Sequence, residues 1–434
     1  MQRVLSFQMT RNIDESSEYV TKRLCFSFLF SVGFLCLLCG FLLGRFAVER
    51  SMETQAQKTR SELAENGLQA TEHLRQVMLL ELTRASFDFK RAINWQRPSL
   101  LEANMRSING FFSNLSFVHE VTNHTFCVRA IVRGSREPDR YVILSVNEGS
   151  IIIALELAQV LDRIYSAHDW RPRRSLIFCM SLMASDLCAR TLPTFIQRKV
   201  VAYIAVPGRF IEANDRVTLA GSDVMRSIAV DAINAIPDVI DNWIYLEQVF
   251  DRRLSLNIPQ VIFLFNSNSA NSQTHHNQSL QSRGIILAQM ISQTMWRLSE
   301  SIIIRWEPKY FNKTVSEVLE SIDSEVLESI DSSKFQDAKE KLKSTLKILL
   351  AAVNDLNAKI DATENTQILR VRMWNDLLLD LDKTLLCFDE NFNENLQHSQ
   401  LIIFRLFKST SNILNYLNEM AKCYENAIQV LQER

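Results

Sequence analysis

The chain is poor in residues that interrupt regular structure. Its 434 residues include 10 glycines and 8 prolines, whereas average usage is roughly 7% glycine and 5% proline. So few chain-reversing residues favour helices over many short strands and argue against a site built from long catalytic loops. Apolar residues make up 47% of the chain, which is enough for a sizeable core and excludes general disorder.

An excess of one charge and several well-known motifs are also missing. The chain has 48 Lys and Arg against 49 Asp and Glu, so nothing in its net charge favours nucleic acid or an acidic substrate. It contains no Gly-x-Ser-x-Gly, no Gly-x-x-x-x-Gly-Lys-Ser/Thr and no Gly-x-Gly-x-x-Gly sequence. These absences remove the usual basis for a serine hydrolase and for nucleotide binding.

One long apolar run stands near the start of the chain. Residues 24–44 contain no charged side chain, and a helix of that length spans about 30 Å, the thickness of a bilayer's hydrocarbon core. The run is longer than the roughly 7–15 apolar residues of a signal peptide, and no small-x-small cleavage site follows it directly. A retained transmembrane anchor is therefore predicted, although the nearly balanced Lys and Arg on its flanks encode orientation only weakly.

Glycosylation sequons favour an orientation with the C-terminal part outside the cytoplasm. All four sequons follow the apolar run, and their asparagines are Asn114, Asn123, Asn277 and Asn312. We therefore expect a glycosylated, single-pass type II protein of the cell surface or a secretory-pathway membrane. Five cysteines also follow the run, an odd number that leaves the disulfide pairing open.

The middle of the chain has the pattern of an α/β fold. Short apolar runs predict strands at 126–132, 141–146, 176–180, 201–206 and 260–265. Apolar residues at i, i+3, i+4 spacing predict helices over 151–165 and 285–298. A strand, helix, strand order predicts a parallel or mixed sheet with flanking helices.

Helical patterns lie on both sides of this region. Residues 45–95 are charged, with apolar residues at helical spacing, and predict a stalk. Spacings of four and three from Leu342 to Ile360, and again from Leu406 to Tyr424, predict helices that bury an apolar seam. The segment 316–323 repeats verbatim as 324–331, which we interpret as a tandem duplication.

Three short sequence segments resemble those of a known family. They are Arg-Glu-Pro-Asp-Arg-Tyr-Val-Ile-Leu at 136–144, Trp-Arg-Pro-Arg-Arg-Ser-Leu-Ile-Phe at 170–178 and Val-Ala-Tyr-Ile-Ala-Val at 201–206. They resemble the glutamate carboxypeptidase II and transferrin receptor family of zinc aminopeptidase-like proteins. The Arg-Met-x-Asn-Asp word within 371–382 resembles the opening of that family's C-terminal dimerisation domain. Arg171, Arg173 and Arg174 then belong to the lead-in to an interior strand, and we expect them on the surface.

The resemblance implies a domain plan. The predicted parts are a cytoplasmic tail (1–23), a transmembrane helix (24–44), a helical stalk with a remnant linker (45–124), a degenerate zinc-peptidase-like domain (125–300) and a helical dimerisation domain (301–434). The resemblance also implies a homodimer formed through the C-terminal helices.

The resemblance further implies a two-zinc site whose ligand positions are changed here. The family's first His position is Asn147, its Glu-Glu pair is Ala184 and Ser185, and its third-strand Asp is Pro207. A neutral amide is a poor zinc ligand beside imidazole. His275 and His276 fall near the last His position, in a polar stretch typical of a surface loop, and remain weak residual metal candidates.

These substitutions lead to the expectation of a protein that is not an enzyme. It would have no catalytic residue, no bound metal and no cofactor, and it would act by binding an unknown protein or peptide, with no nucleic acid as partner. Two alternatives stay open. One is a zinc carboxypeptidase or aminopeptidase with a rearranged site that uses Glu148, Asp186 and His275 or His276. The other is a heterodimeric partner of an active relative.

Overall fold

A computed structural model shows two compact units, Met1–Ser61 and Glu62–Arg434. It describes residues 27–46, 48, 50, 68, 71–87, 101–124, 127–147, 150–182, 188, 191–206, 217–234, 244–245, 258–265, 280–306, 308, 311–313, 315–316, 319–320, 332–361, 368–385 and 410–432. Within the first unit, helix α1 (Ser27–Phe46) is long and apolar enough to cross a membrane. A signal sequence near an N-terminus meets the same criterion.

The second unit combines a sheet with long helices. Its helices are α2 (Glu72–Arg84), α3 (Leu101–Ser113), α4 (Ile151–His168), α5 (Thr194–Gln197), α6 (Asp223–Asn234), α7 (Leu280–Glu300), α8 (Ser332–Asp361), α9 (Ile368–Leu385) and α10 (Thr410–Gln432). Its strands are β1 (Glu120–His124), β2 (Cys127–Val132), β3 (Glu137–Asn147), β4 (Arg174–Ser181), β5 (Val200–Val206), β6 (Val217–Gly221), β7 (Ile244–Tyr245) and β8 (Gln260–Phe265). The predicted fold class, a mixed α/β sheet with flanking helices and a helical C-terminal region, is confirmed.

The strands form one mixed sheet in the order β1-β2-β4-β3-β5-β8-β6-β7. Strands β4, β3, β5 and β8 run parallel to one another, while β1, β2 and β6 pair antiparallel with their inner neighbours. The central strands read as nearly continuous apolar runs because helices and loops cover both faces of a parallel sheet. The crossover from β3 through α4 to β4 is the predicted βαβ unit.

Alternate residues of β3 enter two separate cores. Val142, Leu144 and Val146 belong to the larger core, together with buried residues of α4 and α7. Ile143 faces the other side, in a smaller core with Cys179. This alternation follows from the two-residue period of a strand, and it decides which side chains share a face at the ends of the strands.

Helix α2 lies inside the predicted stalk, yet it is part of the folded unit. Met78 and Leu82, spaced one helical turn apart, are both 0% exposed and pack in the larger core with residues of α4 and α7. Within the predicted helical stretch 45–95, the described residues include a helix at Glu72–Arg84. Its buried face shows that α2 is held by tertiary packing and does not stand free.

The basic run before β4 corrects one expectation. Arg174 is 0% exposed. Its Nε lies 3.1 Å from a carboxylate oxygen of Glu137, and its Nη1 donates to the carbonyl oxygens of Leu298 at 3.0 Å and Ser301 at 2.6 Å. The expectation of a surface position is therefore wrong for Arg174, because this side chain joins the start of β3 to the end of α7. Its neighbour Arg173 pairs with the other oxygen of Glu137 at 2.8 Å.

The C-terminal helices pack on one another and on the amino edge of the sheet. The predicted seam of α8 is buried, including Leu349 and Val353 at 0% exposure. The Arg-Met-x-Asn-Asp word lies on α9 and makes the contacts to the sheet region. Arg372 pairs with Asp139, and Asp376 pairs with Arg140. Asn375 donates to the carbonyl oxygen of Ile302 at 2.8 Å and accepts from the Ile304 N–H at 3.2 Å.

Candidate active site at the carboxyl edge of the sheet

The carboxyl ends of three parallel strands meet at one edge. In the strand register Asn147 of β3 lies beside Ser181 of β4, and Val146 lies beside Val206 of β5. Open α/β sheets bind ligands in the crevice outside the carboxyl ends of their strands. This edge is therefore where the fold places a candidate site.

Asn147 is the predicted site residue that the structure brings to this edge. It is the last residue of β3 and is 8% exposed. The alternation along β3 puts it on the same face as Ile143 and Ser145. Its side chain offers a neutral amide, which can orient a peptide carbonyl or N–H by hydrogen bonding but supplies no charge.

Ser150 fixes the geometry behind the edge, and sequence reasoning did not single it out. Its hydroxyl lies 2.7 Å from the carbonyl oxygens of both Asn147 and Val206, and the residue is 0% exposed. It also directly precedes α4, so it ties the ends of β3 and β5 to the start of the crossover helix. A serine between a predicted strand and a predicted helix is the signal that could have identified it.

The other predicted site residues lie outside the described residues. These are Glu148, Ala184, Ser185, Asp186, Pro207, His275, His276 and the sequon Asn277. In the sequence Glu148 directly follows Asn147, and residues 183–187 follow the end of β4. The described residues at the edge supply an amide and hydroxyls, which do not by themselves fit a two-zinc centre.

Three cysteines lie just behind the edge and settle part of the pairing that the sequence left open. Cys127 and Cys188 form a disulfide with a Cα–Cα distance of 5.7 Å. Cys179 is a buried free thiol, and the three sulfur atoms lie within 4.8 Å of one another. Burial raises the pKa of Cys179 to about 12, against the opposing influence of Arg129. Cys423 is also disulfide-bonded within the chain, so it offers no free thiol for a bond between chains.

The remaining predicted sites are surface positions. The sequon residues Asn114, Asn123 and Asn312 are all exposed. Glycosylation at these positions stays a prediction, which their exposure permits.

Known proteins match part of the chain in sequence. No family model matches. Aminopeptidase NAALADL1 of Mus musculus is 28% identical over 141 residues, which cover 27% of this chain and 19% of that protein. The probable glutamate carboxypeptidase LAMP1 of Arabidopsis thaliana is 28% identical over 160 residues, or 30% of this chain and 22% of that protein. The chain thus matches about a fifth of the length of these relatives. The predicted resemblance to glutamate carboxypeptidase-like proteins is confirmed over this part.

Solved structures, among them one of a zinc aminopeptidase, show a weaker likeness in fold. BSAP, a zinc aminopeptidase from Bacillus subtilis, aligns with 40% of this chain and 50% of its own, at 11% identity and a TM-score of 0.32. LapB from Legionella pneumophila aligns with 51% of this chain and 74% of its own, at 11% identity and a TM-score of 0.34. Scores this low support no conclusion about activity.

The sequence matches contradict the expectation that the protein is not an enzyme. Both relatives are named as peptidases, an aminopeptidase and a probable glutamate carboxypeptidase, and no positive observation shows inactivity. The expectation was wrong because it was drawn from the comparison of ligand positions in the sequence alone. Three of the four, Ala184, Ser185 and Pro207, fall outside the described residues, and a substituted ligand position does not exclude a donor from a neighbouring position.

Proposed function

We propose that the protein is a membrane-anchored exopeptidase related to the glutamate carboxypeptidases, with a rearranged zinc site at the carboxyl edge of its sheet. The observation that carries the proposal is the convergence of β3, β4 and β5 at one edge, within the stretch of sequence that resembles peptidases. Helix α1 would be the anchor, and the sheet unit would then lie on the side that carries the sequons.

The sequence supplies donors of the required kinds after strands β3, β4 and β8. Glu148 follows the last residue of β3, and Asp186 lies five residues after the last residue of β4. His275 and His276 follow β8, which neighbours β5 in the sheet. Carboxylate and imidazole groups are the donors that catalytic zinc uses, and zinc held by them would polarise a peptide carbonyl and activate water.

The residues at the edge would act mainly by positioning. The amide of Asn147 can hydrogen-bond a peptide group of the substrate, and the buried hydroxyl of Ser150 holds the carbonyl groups of Asn147 and Val206 in place. The amino end of α4 carries the positive end of a helix dipole toward the same edge. A negative group on a substrate or intermediate would be favoured there.

The test is zinc content and peptide hydrolysis by the full-length protein in detergent. We expect bound zinc, release of a terminal residue from an acidic dipeptide or an aminoacyl substrate, and loss of both on chelation. Glu148→Gln and Asp186→Asn should lower kcat/KM by at least about a hundredfold, because each removes a zinc donor or a proton acceptor. Glu120→Gln, an exposed carboxylate change on β1, is the matched control and should leave activity unchanged. A pure, folded protein that contains no zinc and hydrolyses neither substrate would refute the proposal.

We propose in addition that the helical region mediates homodimerisation. Leu369 and Met373 lie one turn apart on α9 and are 78% and 61% exposed, which is unusual for an apolar pair on a folded helix. Light scattering should give the mass of a dimer, and Leu369→Ser with Met373→Ser should shift it to that of a monomer. A monomeric wild type that forms a complex only with an active relative would replace this proposal with the heterodimer alternative.

A further inference from the structure

The cluster of Cys127, Cys179 and Cys188 combines two features that the proposed function does not use. It holds a disulfide, and it holds a third sulfur close to both bonded atoms, with all three sulfurs within 4.8 Å of one another. All three residues are 0% exposed. A disulfide needs only two cysteines, so the position of the third is unexplained by the pairing.

The strand register shows that this convergence is built into the sheet. Cys127 begins β2 opposite Ser181, and Cys179 lies opposite Arg129 in the same antiparallel ladder. The two cysteines are therefore diagonal neighbours on one face of the sheet, within reach of each other. Cys188 follows β4 in the sequence, and its sulfur is bonded to that of Cys127.

We propose that these three cysteines form a redox-gated zinc site, closed while Cys127 and Cys188 are bonded and opened when a dithiol reduces them. Thiolate sulfur is a preferred ligand of zinc, at about 2.3 Å. Three sulfurs at that distance around one ion stand about 3.8 Å apart, so the cluster needs only small side-chain movements once the disulfide is open.

The chemistry of opening and loading balances. One dithiol gives two electrons and two protons to the Cys127–Cys188 disulfide and becomes a cyclic disulfide, which leaves three thiols in the cluster. Zinc then displaces three protons to solvent. Three thiolates and one zinc ion carry a net charge of −1.

A buried charge needs compensation, and Arg129 supplies it. Arg129 is directly opposite Cys179 in the register and is 6% exposed. Its Nη1 also donates to the carbonyl oxygen of Thr191 at 3.3 Å, which holds the guanidinium beside the cluster. The charges of the loaded site and Arg129 therefore cancel.

The experiment compares zinc content before and after reduction. The full-length protein, with the other cysteines (Cys25, Cys36, Cys39, Cys387 and Cys423) replaced by serine, is purified in detergent. Half is treated with excess dithiothreitol without air, the reductant is then removed without air, and both halves are equilibrated with zinc and desalted. We expect the reduced half to gain one zinc ion per chain over the oxidised half. Zinc at the carboxyl edge, if the proposed function holds, counts equally in both halves, so the gain reports the cysteine cluster alone.

Cys179→Ser in the same background separates the proposed site from an ordinary disulfide. This variant can still form the Cys127–Cys188 bond, and peptide mapping of that bond together with an unchanged thermal midpoint of the oxidised form would establish that it folds. Its zinc affinity after reduction should fall by at least about tenfold. Cadmium added to the reduced parent should give a thiolate charge-transfer band that the variant largely loses. If reduction produces no gain of zinc, or the folded Cys179→Ser variant gains as much as the parent, the inference is wrong.

Discussion

Arg174→Met should destabilise the protein strongly although the position lies in a basic run that looks like surface sequence. The substitution keeps most of the apolar stem and removes the guanidinium. In the folded protein this group pairs with Glu137 at 3.1 Å and donates to the carbonyl oxygens of Leu298 and Ser301. Removing one partner of a buried pair costs about 3–5 kcal/mol in free energy of unfolding.

The expected loss lies near the lower end of that range, at about 3 kcal/mol. Glu137 keeps a second cation after the substitution, because the Nε of Arg173 lies 2.8 Å from its other carboxylate oxygen. The remaining loss comes from the carbonyl groups of Leu298, Ser301 and Ile302, in or just after the last turn of α7, each of which loses a charge-assisted hydrogen bond.

Tryptophan fluorescence during denaturant unfolding offers a direct assay. Trp170, four residues before Arg174, stacks on Trp296 of α7 with ring centroids 4.8 Å apart. Unfolding separates the two rings and should change the emission. Arg171→Met is the matched control, since Arg171 is exposed and rests on the ring of Tyr165, and it should change stability by less than about 0.5 kcal/mol. Equal unfolding midpoints for the two variants would refute the assignment of Arg174 to the core.

Three further predictions follow from burial and exposure. Leu82→Ala should lower the free energy of unfolding by about 2–5 kcal/mol, whereas Leu80→Ala, at a position 51% exposed on the same helix, should have little effect. Thermal denaturation measures both variants, and similar losses of stability would contradict the packing of α2. Burial raises the pKa of Glu300 to about 7, above its usual value of 4.5, so folding favours the protonated form and this stabilisation disappears as the pH rises through about 7. Glu300→Gln should therefore gain thermal stability relative to wild type between about pH 5 and pH 8, and a constant difference across that range would count against the shift. Protein from a eukaryotic secretory host should lose mass on enzymatic removal of N-glycans, and replacing each exposed sequon asparagine by glutamine should remove one glycan; an unchanged mass would contradict the proposed topology.

Apolar runs predicted the central strands well because burial on both faces makes them nearly continuous. Strand β8 has the predicted bounds, Gln260–Phe265. Strand β3 begins at Glu137, four residues before the predicted start at Tyr141. Its first residues are polar, and a register shift separates Glu137 from Tyr141 in the pairing with β4. Ion pairs of Glu137 with Arg173 and Arg174 stabilise this end of the strand. It lacks the apolar pattern from which a strand is predicted.

The position of the candidate site followed from strand order, whereas its supporting contacts did not. Asn147 could be placed at the carboxyl edge because it directly follows the predicted strand 141–146. The disulfide could not be predicted, since Cys127 and Cys188 are 61 residues apart and meet only through the antiparallel pairing of β2 with β4. The burial of Arg174 was missed for a related reason: its acceptors, the carbonyls of Leu298 and Ser301, lie more than a hundred residues along the chain.

The Arg-Met-x-Asn-Asp motif on α9 and the changed ligand positions carry different information about this protein. Arg372, Asn375 and Asp376 of the Arg-Met-x-Asn-Asp word contact residues at the start of β3 or just after α7, at the edge opposite the candidate site. These side chains hold α9 against the sheet, a role that does not depend on catalysis. The motif therefore predicts architecture and is compatible with any activity. Asn147, the changed position that lies at the carboxyl edge, bears on chemistry instead. Activity should therefore respond to changes at Glu148 and Asp186, whereas changes in the α9 word should lower stability or alter assembly without changing the chemistry of the folded protein.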